Sequence, residues 1–557
     1  MSDARIKVIY SYYQMHWTTS YSTKAEKITF SLLLVIQVVI IWSLPVFITQ
    51  DGPSHLYNAN LLTELLQGDS LALRFHEINL DTFPNWFSTI ILGLLQFVFS
   101  PLIGEKIFIS ILIVSLALSF RFALKCIQSS SVYLSSFIFT FTYGYHLFFG
   151  FYNFLWGIVF LLLLIAWHQS QSLDSNRQGL PSFFILLLLY FCHPVPFVFA
   201  IIFIMVQSCT INKNLFSLSH FKSVAKNLLL VAAPTLLFLL FFISRQSSDS
   251  SIWQDKWDTE QLTLLRELSI LQSFSIEELP ALSLVFYVML LVLLHALYRF
   301  IQNPNRLKGL GLLFVFLTAI FLFFNGNEAI AGGSKLEGRL MIFICLLTIL
   351  FSAQASPIKG FKELCMILLL VIYAMIVPIR YQAHLPCAQR ARQVVESVKN
   401  LSPGEIILPT NCSSYGELDE QTTLSPFLRI FKHVGCYAGC KTGSIVLDNY
   451  EANTTYFPVK WKESKNPYKN LSVGNEGGME ENPPNIDIAN YELRSQEKIT
   501  GIIQIGNCDR FAHHQNMISL DSNLNRDFEI KKEFEFVKLF LRKNRQKKKL
   551  PFDRQLL

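Results

Sequence analysis

Residues 28–55 read ITFSLLLVIQVVIIWSLPVFITQDGPSH, and this stretch decides the fold. Residues 28–48 carry no charge and are long enough to cross a bilayer core of roughly 30 Å. Arg5, Lys7, Lys24 and Lys27 precede them, whereas Asp51, Glu64, Asp69, Glu77 and Asp81 follow against a single Arg74. The positive-inside rule puts the N-terminus in the cytoplasm and Asp51 on the outer face. A carboxylate, Asp51, and an imidazole, His55, four residues on and separated from it by Gly52-Pro53, suit chemistry at that membrane surface.

Outward from this stretch the chain keeps its apolar character. It has 557 residues, 52% hydrophobic and only 16% charged, where soluble domains carry about 25% charged residues. A polytopic membrane protein is expected. The net charge of +7 does not point to nucleic acid, because much of the excess sits in short loops and in the tail Arg542–Lys549. The first apolar run starts late and exceeds a signal-peptide core, so it is expected to stay as an anchor. Near residue 380 the composition shifts to mixed polarity. The expected division is a cytoplasmic segment 1–27, a membrane domain 28–380 with an outer loop 49–103, and an extracytoplasmic α/β domain 381–557 with a basic tail.

Charge placement sets the crossings. Spans are expected near 28–48, 104–120, 132–147, 151–168, 227–244, 280–299, 309–325, 340–355 and 364–379. The run 86–100 is read as a helix lying at the outer face, because a crossing there would carry Arg121 and Lys125 outside. The run 182–208 is interrupted by His193-Pro194-Val195-Pro196. Its halves are shorter than the about 20 residues of an ordinary span, and proline breaks the helix between them. It is read as a hairpin of short or re-entrant helices with His193 near its outer tip, giving 9–11 spans in all.

This topology gathers polar groups on one side: Asp51, His55, Tyr143, Tyr145, His146, Asn153, His193, Glu328, Lys335, Glu337 and Arg339. Ionisable residues at membrane depth are costly and usually functional. Each also has an ordinary reading. Asp51 before Gly-Pro suits a helix cap; His55 and His146 suit an interfacial belt; His193 suits a hydrogen-bonded structural role; Lys335 and Arg339 suit snorkelling flanks. Taken together they describe an outward cavity. Its carboxylate can take a proton from a hydroxyl or hold a metal with histidine, and its cations can hold a phosphate.

This order of parts resembles the GT-C superfamily of membrane glycosyltransferases, which use polyprenyl-phosphate or -diphosphate sugars. More narrowly, Asp51-Gly52-Pro53-Ser54-His55-Leu56, Phe151-Tyr152-Asn153-Phe154-Leu155-Trp156-Gly157 and His193-Pro194-Val195-Pro196 resemble a bacterial group of such integral membrane proteins. The resemblance covers most of residues 25–380. It implies that the superfamily's acidic residue is Asp51 and that its juxtamembrane helices fall on about 54–66 and 86–100. Many relatives carry a second acidic residue in the second outer loop; Tyr143-Gly144-Tyr145-His146 has none. His146 as a substitute ligand, a metal-independent enzyme and a catalytically inactive relative all stay open.

In residues 381–557, Glu405–Pro409, Ser444–Leu447 and Ile499–Ile505 read as strands, Arg390–Asn400 as a helix, and 462–497 as a long loop. Cys387, Cys412, Cys436, Cys440 and Cys508 allow one or two disulfides in an oxidising compartment. His433-x2-Cys436-x3-Cys440 has metal-like spacing without a matched second pair. In loop 245–279, Trp253, Trp257 and the leucines after them read as an interfacial amphipathic helix.

The expected function is transfer of a sugar from a polyprenyl-phosphate or -diphosphate carrier to a glycan, lipid or protein acceptor at the outer face of a bacterial inner membrane. Asp51 is the expected catalytic carboxylate. His55, His146, Asn153, His193, Lys335 and Arg339 are the expected substrate contacts, and Asp51 with His55 the ligands of any divalent cation such as Mg or Mn. Membrane lipids are the expected surroundings and nucleic acid is not a partner. The alternative is a non-catalytic transporter or scaffold for lipid-linked glycan assembly.

Overall fold

A computed structural model describes residues 24–81, 83–170, 179–210, 234–238, 240, 253–254, 256–302, 310–329, 334–454, 456–474 and 476–543. Residues 1–23 of the segment expected to be cytoplasmic, the loops carrying Arg177, Lys213, Lys222 and Lys226, most of the span expected at 227–244, and the basic tail from Asn544 lie outside the described residues. The chain divides into two units. One holds 1–44, 82–91 and 105–385; the other holds 45–81, 92–104 and 386–557. The loop after the first membrane helix thus folds with the C-terminal residues.

The first unit is helical, as a polytopic membrane protein requires. Among the described residues five helices are long and apolar enough to cross a membrane: Lys24–Ser43, Pro101–Ile127, Tyr152–Ser170, Ile276–Gln302 and Phe361–Ser397. The first shows why. Ile28, Leu32, Val35, Val39 and Trp42 recur at helical spacing and are all about half exposed, while Phe30, Leu33, Gln37 and Ile41 are buried. An apolar stripe that long has no solvent but lipid. On its inner face Gln37 donates to Phe139 O at 3.0 Å, and Glu26 pairs with Arg121.

The proline interruption ends one helix and starts the next, as expected. Gly179–Cys192 and Pro194–Thr210 meet at His193. At 14 and 17 residues both are short for an ordinary span. Phe87–Gln96 has 10 residues, about 15 Å of helix, and does not cross unaided. One expected span needs correction. Residues 132–147 do not form one helix. A 3-10 helix Ser129–Ile138 gives way to a turn Phe139–Thr142, a break at Tyr143-Gly144 and a short helix Tyr145–Phe149. Everything from Ser131 to Phe148 is buried in protein. Irregular backbone is tolerated at such a depth only where protein covers it, and hydropathy cannot tell that cover from lipid.

The break is held by one side chain. Arg380, 1% exposed, donates Nε to Glu278 Oε2 at 2.8 Å and Nη1 to Thr140 O and Tyr143 O, both at 2.9 Å. Glu278 Oε1 in turn accepts from the backbone N–H groups of Ser273, Phe274 and Ser275. A Cβ on Gly144 would stand 2.7 Å from Arg380 Nη1, so the guanidinium fits only over glycine.

The second unit is built on a five-stranded sheet of order β3-β2-β5-β7-β6, with β2 Ile406–Asn411, β3 Ile445–Val446, β5 Gly501–Ile505, β6 Phe528–Glu533 and β7 Val537–Arg542. β3, β2 and β5 run parallel; β7 and β6 are antiparallel. The three strands read from sequence are present, and β6 and β7, which were not read from it, extend the sheet. A smaller pair joins β1 His76–Ile78 of the outer loop to β4 Val459–Trp461. The stretch 462–497 is not one long loop; it contains the short helices Pro467–Asn470 and Ile488–Ser495 and 3-10 turns. Cys412 and Cys508 form a disulfide across 96 residues, tying the end of β2 to the end of β5.

Candidate functional site

Asp51 stands at the start of the helix Gly52–Gln67, in the position of a helix cap. Its side chain makes no capping bond. Thr49 does that work, its Oγ1 accepting from Gly52 N at 3.0 Å. Among the described residues the Asp51 carboxylate accepts one hydrogen bond, from Gln50 Nε2 at 3.2 Å, and has no cation within ion-pair distance. Gln50 is itself buried, and its Oε1 accepts from Arg429 N at 3.1 Å. A half-buried carboxylate without a structural task is what a proton acceptor needs.

The helix Gly52–Gln67 is buried along most of its length, and its polar face is spoken for. His55 Nδ1 lies 2.5 Å from Glu451 Oε1, with the two side chains 7% and 0% exposed. This is a close charge contact outside hydrogen-bonding alignment. Glu451 Oε2 accepts from Asn58 Nδ2 at 2.6 Å, and Asn58 Oδ1 from Asn449 Nδ2 at 3.1 Å. Tyr57 donates to Ser444 O and accepts from Val446 N, which fixes the helix to β3. Gly439 is the residue that permits this, since a Cβ there would sit 2.2 Å from the Tyr57 ring.

Beyond His55 the polar cluster continues within the same unit. The His433 ring stacks on Tyr450 with centroids 4.4 Å apart, and its Nδ1 lies 3.6 Å from Asp448 Oδ1. Lys432 pairs with Glu480 at 2.8 Å. Burial, reinforced by Asp51 and Glu451, pushes the Tyr450 phenol well above its ordinary range; burial with Asp448 and Glu480 does the same to Tyr468. Burial works to raise Glu480 too, but Lys432, His433 and Arg429 more than offset it and hold the carboxyl below its ordinary value.

The donor set does not suit a resident divalent cation. His55 Nδ1 is committed to Glu451, and among the described residues no group of three or more His, Cys, Asp or Glu side chains is placed to hold a metal. A hard cation such as Mg asks for several oxygen ligands. The His433-Cys436-Cys440 spacing is likewise structural: the Cys436 thiol donates to Asp448 O and the Cys440 thiol to Cys436 O.

The other expected contacts belong to the first unit. Three of them surround the Phe154 ring. His146 stacks on it at 5.4 Å, His193 meets its edge at 5.3 Å, and the Arg339 guanidinium lies 5.9 Å from it and 4.3 Å over Phe151. His146 Nε2 bonds Gly338 O at 2.9 Å, and His193 Nδ1 accepts from Val195 N at 3.2 Å. The structure thus brings His146, His193 and Arg339 to one aromatic floor. Asn153 has a local role: its Oδ1 accepts from Ser88 N and its Nδ2 donates to Asn85 O. Lys335 is paired with Glu328 at 2.9 Å, both about half exposed, and stands apart from the aromatic group. Glu337 faces Lys256, which anchors the stretch carrying Trp253 and Trp257.

Sequence reading missed Arg429, Asp448, Glu451 and Glu480. A signal existed for two of them. Asp448 and Glu451 follow the strand read at Ser444–Leu447, and the carboxyl ends of parallel strands are where open α/β sheets bind ligands. No protein-family model, curated protein or solved structure matches the chain. The resemblance to the GT-C superfamily therefore rests on its motifs.

Proposed function

We propose that the chain is a membrane glycosyltransferase of the GT-C type that moves a sugar from a polyprenyl-phosphate or -diphosphate carrier to a hydroxyl acceptor on the outer face. The observation that carries this reading is the Asp51 carboxylate, which sits where the first membrane helix ends, caps nothing and is paired with no cation among the described residues. In the reaction the acceptor O–H gives its proton to Asp51 as its oxygen bonds the anomeric carbon. The bond from that carbon to the phosphate oxygen breaks, and the phosphate leaves with the electron pair.

The topology that accompanies this reading has nine full spans and the His193 hairpin, with the N-terminus in the cytoplasm and the second unit outside, in a bacterial inner membrane. The Cys412–Cys508 disulfide supports that side, because disulfides persist in oxidising compartments. The group around Phe154 supports it as well: a guanidinium over aromatic rings suits a phosphate at the membrane surface.

The test is transfer by the purified full-length protein in lipid discs, from a polyprenyl-phosphate-linked labelled sugar to a lipid or glycan acceptor. Asp51→Asn keeps the shape and the Gln50 neighbour and removes the base. The expected loss is about 10²–10⁴-fold in rate with unchanged insertion. A rate within a fewfold of wild type removes Asp51 from the chemistry.

A further inference from the structure

Among the described residues two opposite charges of the second unit have no ion-pair partner, and one buried amide joins them. The first is Asp51. The second is Arg429, partly buried, whose backbone N–H donates to Gln50 Oε1 at 3.1 Å while Gln50 Nε2 donates to Asp51 Oδ1 at 3.2 Å. Among the described residues the Arg429 side chain bonds only Ser414 Oγ at 3.4 Å and the Glu480 carbonyl at 3.2 Å, both through Nη2. Its Nε–H is buried with no acceptor there, and no carboxylate lies within ion-pair distance.

A buried guanidinium N–H without an acceptor costs about 1–3 kcal/mol, more for a charged donor. The neighbouring cation is not in the same state. Lys432 is ion-paired with Glu480 at 2.8 Å, a carboxylate that Arg429 also stabilises from beyond ion-pair distance. Arg429 is thus a cation without an ion pair among the described residues, and its backbone is joined through Gln50 to Asp51, a carboxylate without one. A ligand that satisfies both must offer an oxyanion and a hydroxyl. Guanidinium forks match phosphate oxygens, and carboxylates accept from hydroxyls.

We propose that Arg429 is the phosphate contact of this site, taking the leaving phosphate or diphosphate of a phosphate-linked sugar while Asp51 takes the hydroxyl proton. This rests on the transferase reading and goes beyond it, because it assigns the leaving group to a residue of the C-terminal sequence. Gln50 is a positioning residue that sets the separation of the two charges.

The experiment measures binding of two probes to the full-length protein in lipid discs: a polyprenyl monophosphate incorporated in the disc, and inorganic pyrophosphate in solution. Sugar transfer is measured in parallel. Arg429→Gln is expected to weaken binding by about tenfold or more, the worth of one charge-assisted hydrogen bond, and Arg429→Lys to lose less. Asp51→Asn is expected to abolish transfer and leave phosphate binding at wild-type strength or tighter. Loss on the lipid probe alone supports the proposal with a lipid-borne phosphate; loss on both supports it with a phosphate recognised from either source. Equal binding by wild type and Arg429→Gln overturns the proposal, and so does wild type binding neither probe. If Asp51→Asn still abolishes transfer in those cases, the transferase reading stands without Arg429. Thermal unfolding of Arg429→Lys and Arg429→Gln within a few degrees of wild type keeps misfolding from mimicking the expected loss.

Discussion

Glu278 of the first unit and Glu451 of the second are both fully buried against a cationic or titratable partner, and the two are treated differently. In the membrane unit Glu278 has every oxygen engaged: three backbone N–H groups on Oε1 and Arg380 on Oε2, with Arg380 spending its remaining donors on carbonyls. In the second unit Glu451 holds Asn58 with one oxygen and leaves the other in close, unaligned contact with His55. A fully satisfied buried network rigidifies and specifies one structure, whereas a buried polar atom without an aligned partner is costly to keep. The difference teaches that the chain spends its complete polar network on the backbone break at Tyr143-Gly144.

The largest effect is expected at the satisfied pair. Glu278→Gln leaves the Arg380 guanidinium buried without its counter-charge, and such breaks cost about 3–5 kcal/mol. Thermal unfolding in detergent is expected to show a strong drop. A Glu278→Gln protein as stable as wild type would erase the distinction between the two units. Next is Glu64 on the outer helix, whose carboxyl is pushed up to about 7 by burial, against hydrogen bonding from Asn60. Its folded-state pKa lies above the unfolded value, so its stability contribution is full below about pH 4.5 and is lost as pH rises toward 7. Glu64→Gln is expected to flatten that fall, on the order of 3 kcal/mol across the window. A parallel pH–stability profile for wild type and variant would contradict it.

Smaller again is Glu451→Gln. The amide can still accept from Asn58, so the expected stability loss is about 1 kcal/mol. A collapse of stability like that of Glu278→Gln would make Glu451 architectural and reverse the contrast. The smallest effect is expected at Lys335. Its pair with Glu328 is about half exposed on both sides, and exposed pairs contribute about 0–1 kcal/mol. Lys335→Gln is expected to change stability by less than about 1 kcal/mol and transfer by less than about twofold; a large loss of transfer would restore it to the phosphate group beside Arg339.

Much of the architecture was legible because hydropathy and proline act locally. The first helix, the short helix after Trp86, the His193 break and three of the strands follow from composition and spacing alone. The span expected at 132–147 was not legible, since its irregular backbone is supported by Arg380, more than two hundred residues away in sequence. The site divides in the same manner. Asp51 stands out through its place after an apolar run. What separates a cap from a base is whether a neighbour already does the capping, and that neighbour, Thr49, gave no signal of its own. Lys335 looked equivalent to Arg339 in sequence; only the fold shows one beside Glu328 and the other over aromatic rings. Arg429 and Glu451 reach residues 50–58 from the far end of the chain, a proximity no local pattern encodes.

The most direct measurement is of lipid-linked sugars in cells whose copy of this protein is either wild type or Asp51→Asn. The transferase reading predicts that the variant, present in the membrane at wild-type level, accumulates an unspent polyprenyl-linked sugar while an outer glycan lacks one residue. Identical lipid-linked pools in the two strains, with a phenotype only on complete deletion, would contradict it and make Asp51 part of a scaffold or transporter.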